Sequence, residues 1–249
     1  MNLGEYRASK REQARTQDLL RLLPRRRRSV LDIGARDGHF SRLLTEHFEQ
    51  VTALDLARPS FEIPGVVTVA GDVTRLEFGD ESFDCVFCAE VLEHVRDVES
   101  ACREITRVAA HDVIVGVPFR QDLRYERTTC RACGRANPPY GHVHSFDEER
   151  LLGLFPGLQV RARSFVETTR KSTNRISTFL MDLAGNPRGT YHQDEPCIHC
   201  GSSLARPENI RLWQLGCLVP AVGLNLCQKL LTRPRPNWIH LALTKQPDT

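Results

Sequence analysis

The chain has 249 residues, 41% of them apolar, and a formal net charge of +3. That length and apolar content suffice to bury a core as one large domain, or one domain with a small appendage. The small net charge makes no case for nucleic acid by itself. The first residues, MNLGEYRASKREQART, are charged and lack the apolar centre of a secretory leader. Nine cysteines, an odd number, without such a leader point to a reducing cytoplasmic setting.

Apolar spacing predicts a helix over 10–23, stopped by Pro24. The basic run Arg25 to Arg28 reads as a solvated connection to a strand at Ser29–Ile33, with an anionic-substrate patch as the alternative. A helix over 41–48 follows, then strands at 51–54, 66–70 and 83–89 and a helix over 98–108. A fifth strand, 112–117, ends at Pro118. A helix over 146–155 is expected to start at Ser145 as its cap, with Glu148 three residues on. Two further strands are read at 158–167 and 238–244. Apolar strands alternating with helices imply an α/β fold with a mostly parallel sheet covered on both faces. Ligands in such sheets lie beyond the carboxyl ends of the strands.

Two long stretches break the alternation: about 120–143 and 168–237. Loops of that length tend to carry structure or function of their own. We expect one domain over 1–249 with these two insertions as a cap. The second contains Leu212–Leu231, LWQLGCLVPAVGLNLCQKLL. Gly216, Pro220, Gly223, Asn225 and Gln228 interrupt its apolar run. It therefore reads as helical pieces that pack or form a lid rather than a membrane span, with a peripheral membrane contact as the alternative.

The junction SVLDIGARDGHF places Asp32 at a strand end and Gly34 and Gly38 in the turn that follows. Glycines permit positive φ and close ligand approach, and the next helix begins with unpaired N–H groups suited to an anionic ligand. Asp55 ends the second strand 23 residues later, where an acid can accept both ribose hydroxyls of a nucleoside. Asp72 follows the third strand, and FDCVFCAEVLEHV places Glu90 and His94 past the fourth.

Together, Gly34-Ala35-Arg36-Asp37-Gly38, Asp55, Asp72 and FDCVFCAEVLEHV resemble class I S-adenosylmethionine-dependent methyltransferases over roughly 27–118. The resemblance implies a Rossmann-like seven-stranded sheet. It implies that Asp32, Gly34, Ala35, Arg36 and Gly38 hold the methionine part of the cofactor. Asp55 and Leu56 would then meet the ribose, Asp72 and Val73 the adenine, and Ala89 and Glu90 would line the methyl-transfer site. The family often has glycine where this chain has Arg36, whose side chain must then point away or touch substrate.

Cys130-Arg131-Ala132-Cys133-Gly134 and Cys197-Ile198-His199-Cys200-Gly201 share the form C-x-x-C-G, the shape of a zinc knuckle. Two thiolates from each turn would complete one closed structural Zn²⁺ site, with the glycine permitting the turn. A redox pair or free thiols are the alternatives; a redox pair normally opens a helix, and neither of these does. His142, His144, His192 or His199 could replace a cysteine. The remaining cysteines (85, 88, 102, 217 and 227) read as buried small residues.

The expected reaction is methyl transfer to an oxygen or nitrogen of a small molecule such as a sugar or secondary metabolite. A hydroxyl acceptor would need a general base, from Glu90, His94, His142 or His144. The stretch YGHVHSF resembles one that borders the acceptor pocket of small-molecule methyltransferases of this family, which implies a pocket role for His142 beside a structural hydrogen bond or a zinc ligand. Glu93 reads as a solvated or capping acid. Basic residues at 120–135 and 161–175 would face an anionic acceptor or solvate the cap. The alternatives are a non-catalytic cofactor-binding scaffold and an RNA or protein methyltransferase. No nucleic acid is expected, because no aromatic stacking pattern accompanies the arginines.

Overall fold

A computed structural model describes residues 3–193 and 195–245. Contacts divide it into two units. One comprises Lys10–Phe119, Phe146–Glu167 and the chain from Trp238 onward. The other comprises the residues up to Ser9, Arg120–Ser145 and Thr168–Asn237.

The first unit holds the main sheet. Its strands are β1 (Ser29–Ile33), β2 (Gln50–Asp55), β3 (Val66–Ala70), β4 (Phe83–Ala89), β5 (Ala109–Pro118), β8 (Leu158–Thr169) and β9 (Arg235–Lys245). The sheet order is β3-β2-β1-β4-β5-β9-β8. Strands β1 to β5 pair in parallel, and β9 runs antiparallel to β5 with Val115 opposite Leu241. The alternating pattern predicts the mostly parallel sheet, and the Rossmann-like seven-stranded arrangement is the one the resemblance implies. The order reverses direction at β1 and β4, the place at which sheets of this kind bind ligands beyond their carboxyl ends.

Two apolar layers cover the sheet. On one face Leu31, Ile33, Val86, Val113, Val115 and Leu241 pack with helix α4 (Val98–Val108) and with Leu151 of α5 (Glu148–Gly153). On the other, Val30, Phe87, Ile114 and Ala242 pack with α2 (Lys10–Arg21) and α3 (His39–Leu44). Helix α4 presents Val98, Ala101, Cys102, Ile105 and Val108, the i, i+3, i+4 stripe of an amphipathic helix. Asp97 caps it by accepting from Ser100 N–H at 3.0 Å.

Helix α5 is capped by Asp147, not Ser145: its carboxylate accepts from Arg150 N–H at 2.9 Å. A charged acceptor two residues closer to the apolar stretch makes the stronger cap and shortens the helix to six residues.

The other unit contains α1 (Leu3–Ala8), a small antiparallel hairpin of β6 (Thr128–Thr129) and β7 (Ala136–Asn137), and two helices, α6 (Arg175–Leu183) and α7 (Leu212–Leu231). Helices α6 and α7 form an antiparallel pair. Ser177 Oγ donates to Ala221 O at 2.8 Å, and Gln214 Nε2 donates to Ala184 O at 3.1 Å. Contrary to the sequence reading, α7 is one continuous helix through Pro220. Proline removes one helical hydrogen bond, but Gly216, whose carbonyl loses that partner, is exposed, so solvent can replace it. Cys217 and Cys227 are not buried, unlike Cys85, Cys88 and Cys102, because α7 packs on one side only.

Candidate active site

Parallel pairing of β3, β2, β1 and β4 lines up their carboxyl ends, and the acids read from the sequence fall along that edge. Asp32, next to last in β1, is buried and accepts from Ser41 Oγ at 2.6 Å, which ties the strand to α3 across the glycine loop. Gly34 and Gly38 have φ of 76° and 74°. A Cβ on Gly34 would lie 2.3 Å from Val91 Cγ2, so the turn has no room for a side chain. The N–H groups of Gly34 and Ala35 both donate to Leu54 O, at 2.8 and 3.1 Å.

Arg36 is itself left-handed, with φ of 45°. Its backbone takes the conformation for which glycine is the unstrained choice. Its N–H donates to Asp55 Oδ2 at 2.8 Å, and Leu56 N–H donates to Asp55 Oδ1 at 2.7 Å. The Asp55 carboxylate thus fastens the end of β2 to the glycine loop, beside an exposed Leu56. Asp72 is exposed and accepts from both the N–H and the hydroxyl of Thr74 at 2.8 Å, a local turn that leaves Val73 buried behind it.

Ala89 ends β4, and Glu90 follows with φ of 60°. Strained non-glycine backbone of this kind concentrates where a side chain must be aimed. Glu90 N–H donates to Gly116 O at 2.8 Å, and a Glu90 carboxylate oxygen lies 3.9 Å from Arg15 Nη1. Arg15 is 2% exposed and forks onto Glu12, with bonds of 2.8 and 2.6 Å. This buried pair on α2 adjoins the candidate site and was missed by sequence reasoning. Its signal was available: Glu12 and Arg15 share the helix stripe of Leu19, Leu22 and Leu23, an apolar face where unpaired charge is costly.

His94 lies in the turn after β4, its N–H donating to Val91 O at 2.9 Å. Glu93 is buried rather than solvated. Neither of its oxygens has a hydrogen-bond partner among the described residues. Burial first, and then the charge of Glu90, push its carboxyl well above the usual carboxylate range. The expected capping role belongs to Asp97 instead.

In the other unit, His142 is buried, and its Nδ1 donates to Gln121 Oε1 at 2.5 Å. His192 stacks edge-on to Tyr140, and His199 Nε2 donates to Ala136 O at 3.1 Å.

Cys130, Cys133, Cys197 and Cys200 converge there, with all four Sγ atoms within 4.8 Å of one another. The two turns repeat one geometry. Gly134 N–H donates to Cys130 O and Gly201 N–H to Cys197 O, each at 2.9 Å, with glycine φ of 69° and 74°. The first turn hangs from the β6–β7 hairpin, and Ile198 N–H donates to Asn137 Oδ1 at 2.9 Å to bring the second against it. The Ser202 hydroxyl and N–H bring the Cys200 thiol down to about 6. None of the histidines joins this cluster.

Residues 31–115 match the family model described as a methyltransferase domain. The chain is 32% identical over 93 residues to YcgJ of Bacillus subtilis, an uncharacterized methyltransferase, covering 33% of this chain and 37% of that one. It is 33% identical over 90 residues to the malonyl-[acyl-carrier protein] O-methyltransferase of Serratia marcescens, covering 32% of this chain and 33% of that one. It is 35% identical over 89 residues to the demethylmenaquinone methyltransferase of Thermobifida fusca, covering 32% and 38%. The chain therefore spans about a third of the length of these curated relatives. The crystal structure of YcgJ superposes with a TM-score of 0.56 at 15% identity, over 95% of this chain and 99% of that one, a likeness of fold. Sequence match and fold coincide on the stretch from β1 to β5: residues 31–115, which match the methyltransferase domain model, lie within a Rossmann-like sheet.

Proposed function

We propose that the chain transfers a methyl group from S-adenosylmethionine to an oxygen or nitrogen of a small-molecule acceptor. The observation that carries this is the joint between Asp55 and the glycine loop, at the switch point of a sheet whose sequence matches a methyltransferase domain. The residues fit the cofactor. Gly34 and Gly38 supply the positive φ that the tight turn needs, and α3 begins after Gly38 with its positive dipole end, which suits a carboxylate. Asp32, Gly34, Ala35, Arg36 and Gly38 would hold the amino-acid portion, Asp55 and Leu56 the ribose, and Asp72 and Val73 the adenine. Ala89 and Glu90 would border the reacting end.

The cofactor, when bound, supplies an electrophilic methyl group on a sulfonium. The work left to the protein is to align the acceptor, exclude water and remove a proton. Glu90, with a carboxylate oxygen 3.9 Å from Arg15 Nη1, is the candidate base nearest the end of β4. His94 and His142 are the other candidate bases. The Nδ1–H that His142 gives to Gln121 makes Nε2 the basic nitrogen of its neutral ring. A small-molecule acceptor is supported by relatives named for malonyl-[acyl-carrier protein] and demethylmenaquinone. The four cysteines fit one tetrahedral Zn²⁺, closed to substrate and therefore structural. Incubation with methyl-labelled cofactor and a panel of hydroxyl- and amine-bearing acceptors tests the reading. Labelled product that disappears in Glu90→Gln and Asp55→Ala supports it, and no transfer to any acceptor by cofactor-bound protein opposes it.

A further inference from the structure

We propose that the α6–α7 hairpin docks on the surface of an anionic lipid bilayer. Helix α7 has 20 residues, of which only Ala221 is buried. Its exposed side chains include Leu212 at 86%, Val219 at 69%, Leu230 at 72% and Leu231 at 85%. Ile176 and Phe179 of α6 add to the same hairpin, both more than 60% exposed. Isolated exposed apolar residues are ordinary, but a whole helix pair of them marks a surface that something else covers. Among the described residues no helix is long and apolar enough to cross a membrane, so the hairpin would lie in the interface rather than span it.

Charge selects the occupant. Residues 168–237 carry nine Lys and Arg against four Asp and Glu. Helix α7 has no acid at all, and Asp182, the one acid of α6, is bonded to Arg127 at 2.8 Å. The antiparallel pairing brings the start of α6 beside the end of α7, which gathers Arg175, Lys229 and Arg233 at one end of the hairpin. All three are exposed and make no hydrogen bond or ion pair among the described residues. Lys229 and Arg188 also line a cavity of about 220 Å³ walled by Met181, Val222 and Leu226. A cationic pocket with apolar walls, beside an apolar face, is complementary to a phosphate headgroup and its acyl chains. The exposed indole of Trp213 is suited to the same boundary. A second copy of the chain would bring cations against cations at this surface.

Vesicle flotation of the full chain tests this, using phosphatidylcholine alone and phosphatidylcholine with phosphatidylglycerol. No methyl donor is needed, so the outcome is independent of the catalytic reading. The proposal expects binding only to the anionic vesicles, weakening with salt, and a blue shift of fluorescence that Trp213→Phe removes. Lys229→Gln with Arg233→Gln should weaken partitioning about 30-fold. Val219→Glu with Leu230→Glu should abolish it while leaving homocysteine-cofactor binding intact as the control of folding. Equal binding to both vesicle types, or no binding to either, overturns the proposal. So does a dimer in sedimentation that Val219→Glu converts to monomer, which would give the face to a second copy.

Discussion

Helices α4 and α7 are both rich in apolar residues, and the chain uses them in opposite ways. In α4 the apolar positions recur at three and four and are closed against the sheet. In α7 they encircle the helix, and only Ala221 is enclosed. Period, not content, decides whether an apolar helix completes a core. The same contrast separates the two units. The sheet unit is held by two continuous apolar layers, whereas the second unit relies on side-chain hydrogen bonds and four clustered cysteines.

Removing the cysteines breaks that comparison most severely. Cys197→Ser with Cys200→Ser should abolish about one bound zinc per chain, a site of the class worth about 10–16 kcal/mol in small metal-folded modules. Hydrogen exchange should then lose protection at 120–145 and 168–237 while β1 to β5 remain protected; retained protection in both regions would show that the second unit folds without metal. The two helices give the next test. Ile105→Ala in α4 should cost about 2–5 kcal/mol by denaturant unfolding, and Val219→Ala in α7 should stay within about 0.5 kcal/mol. Comparable losses would contradict the asymmetry. At the glycine loop, Gly34→Ala forces a Cβ to within 2.3 Å of Val91 and imposes a positive φ on alanine. A loss of about 1–3 kcal/mol in stability is expected, with weaker cofactor binding.

Glu93→Gln should act the other way. The folded carboxyl stays protonated while the unfolded one ionises above about 4.5, so ionisation favours the unfolded state as pH rises. The substitution should raise the melting temperature at pH 7 to 8 and lose that advantage below the unfolded pKa. Equal stabilisation at pH 4 would point to packing instead of ionisation.

Much of this was legible in the sequence. The strands β1, β3 and β4 and helix α4 follow from period and punctuation alone, and the acids at strand ends mark the sheet edge on which they fall. The C-x-x-C-G pairs announce two identical turns before any coordinates show them meeting. What sequence could not supply were the relations across the fold. Glu93 lies close to Glu90 in the same acidic turn, and only the burial of that turn, together with the charge of Glu90, pushes the Glu93 carboxyl up. Arg15 gives no local sign that it reaches Glu90. The continuity of α7 through Pro220 goes with the exposure of Gly216, whose carbonyl is left open to solvent. The left-handed backbone of Arg36 depends on the neighbouring Asp55 to hold it.

The most direct measurement is calorimetric titration of S-adenosylhomocysteine into the intact chain and into Asp55→Asn, which keeps the side chain's shape and removes its charge. The account predicts saturable one-site binding to the first and an affinity at least about ten-fold weaker in the second. Absence of binding to the unmodified chain, or an affinity that Asp55→Asn leaves unchanged, would contradict it.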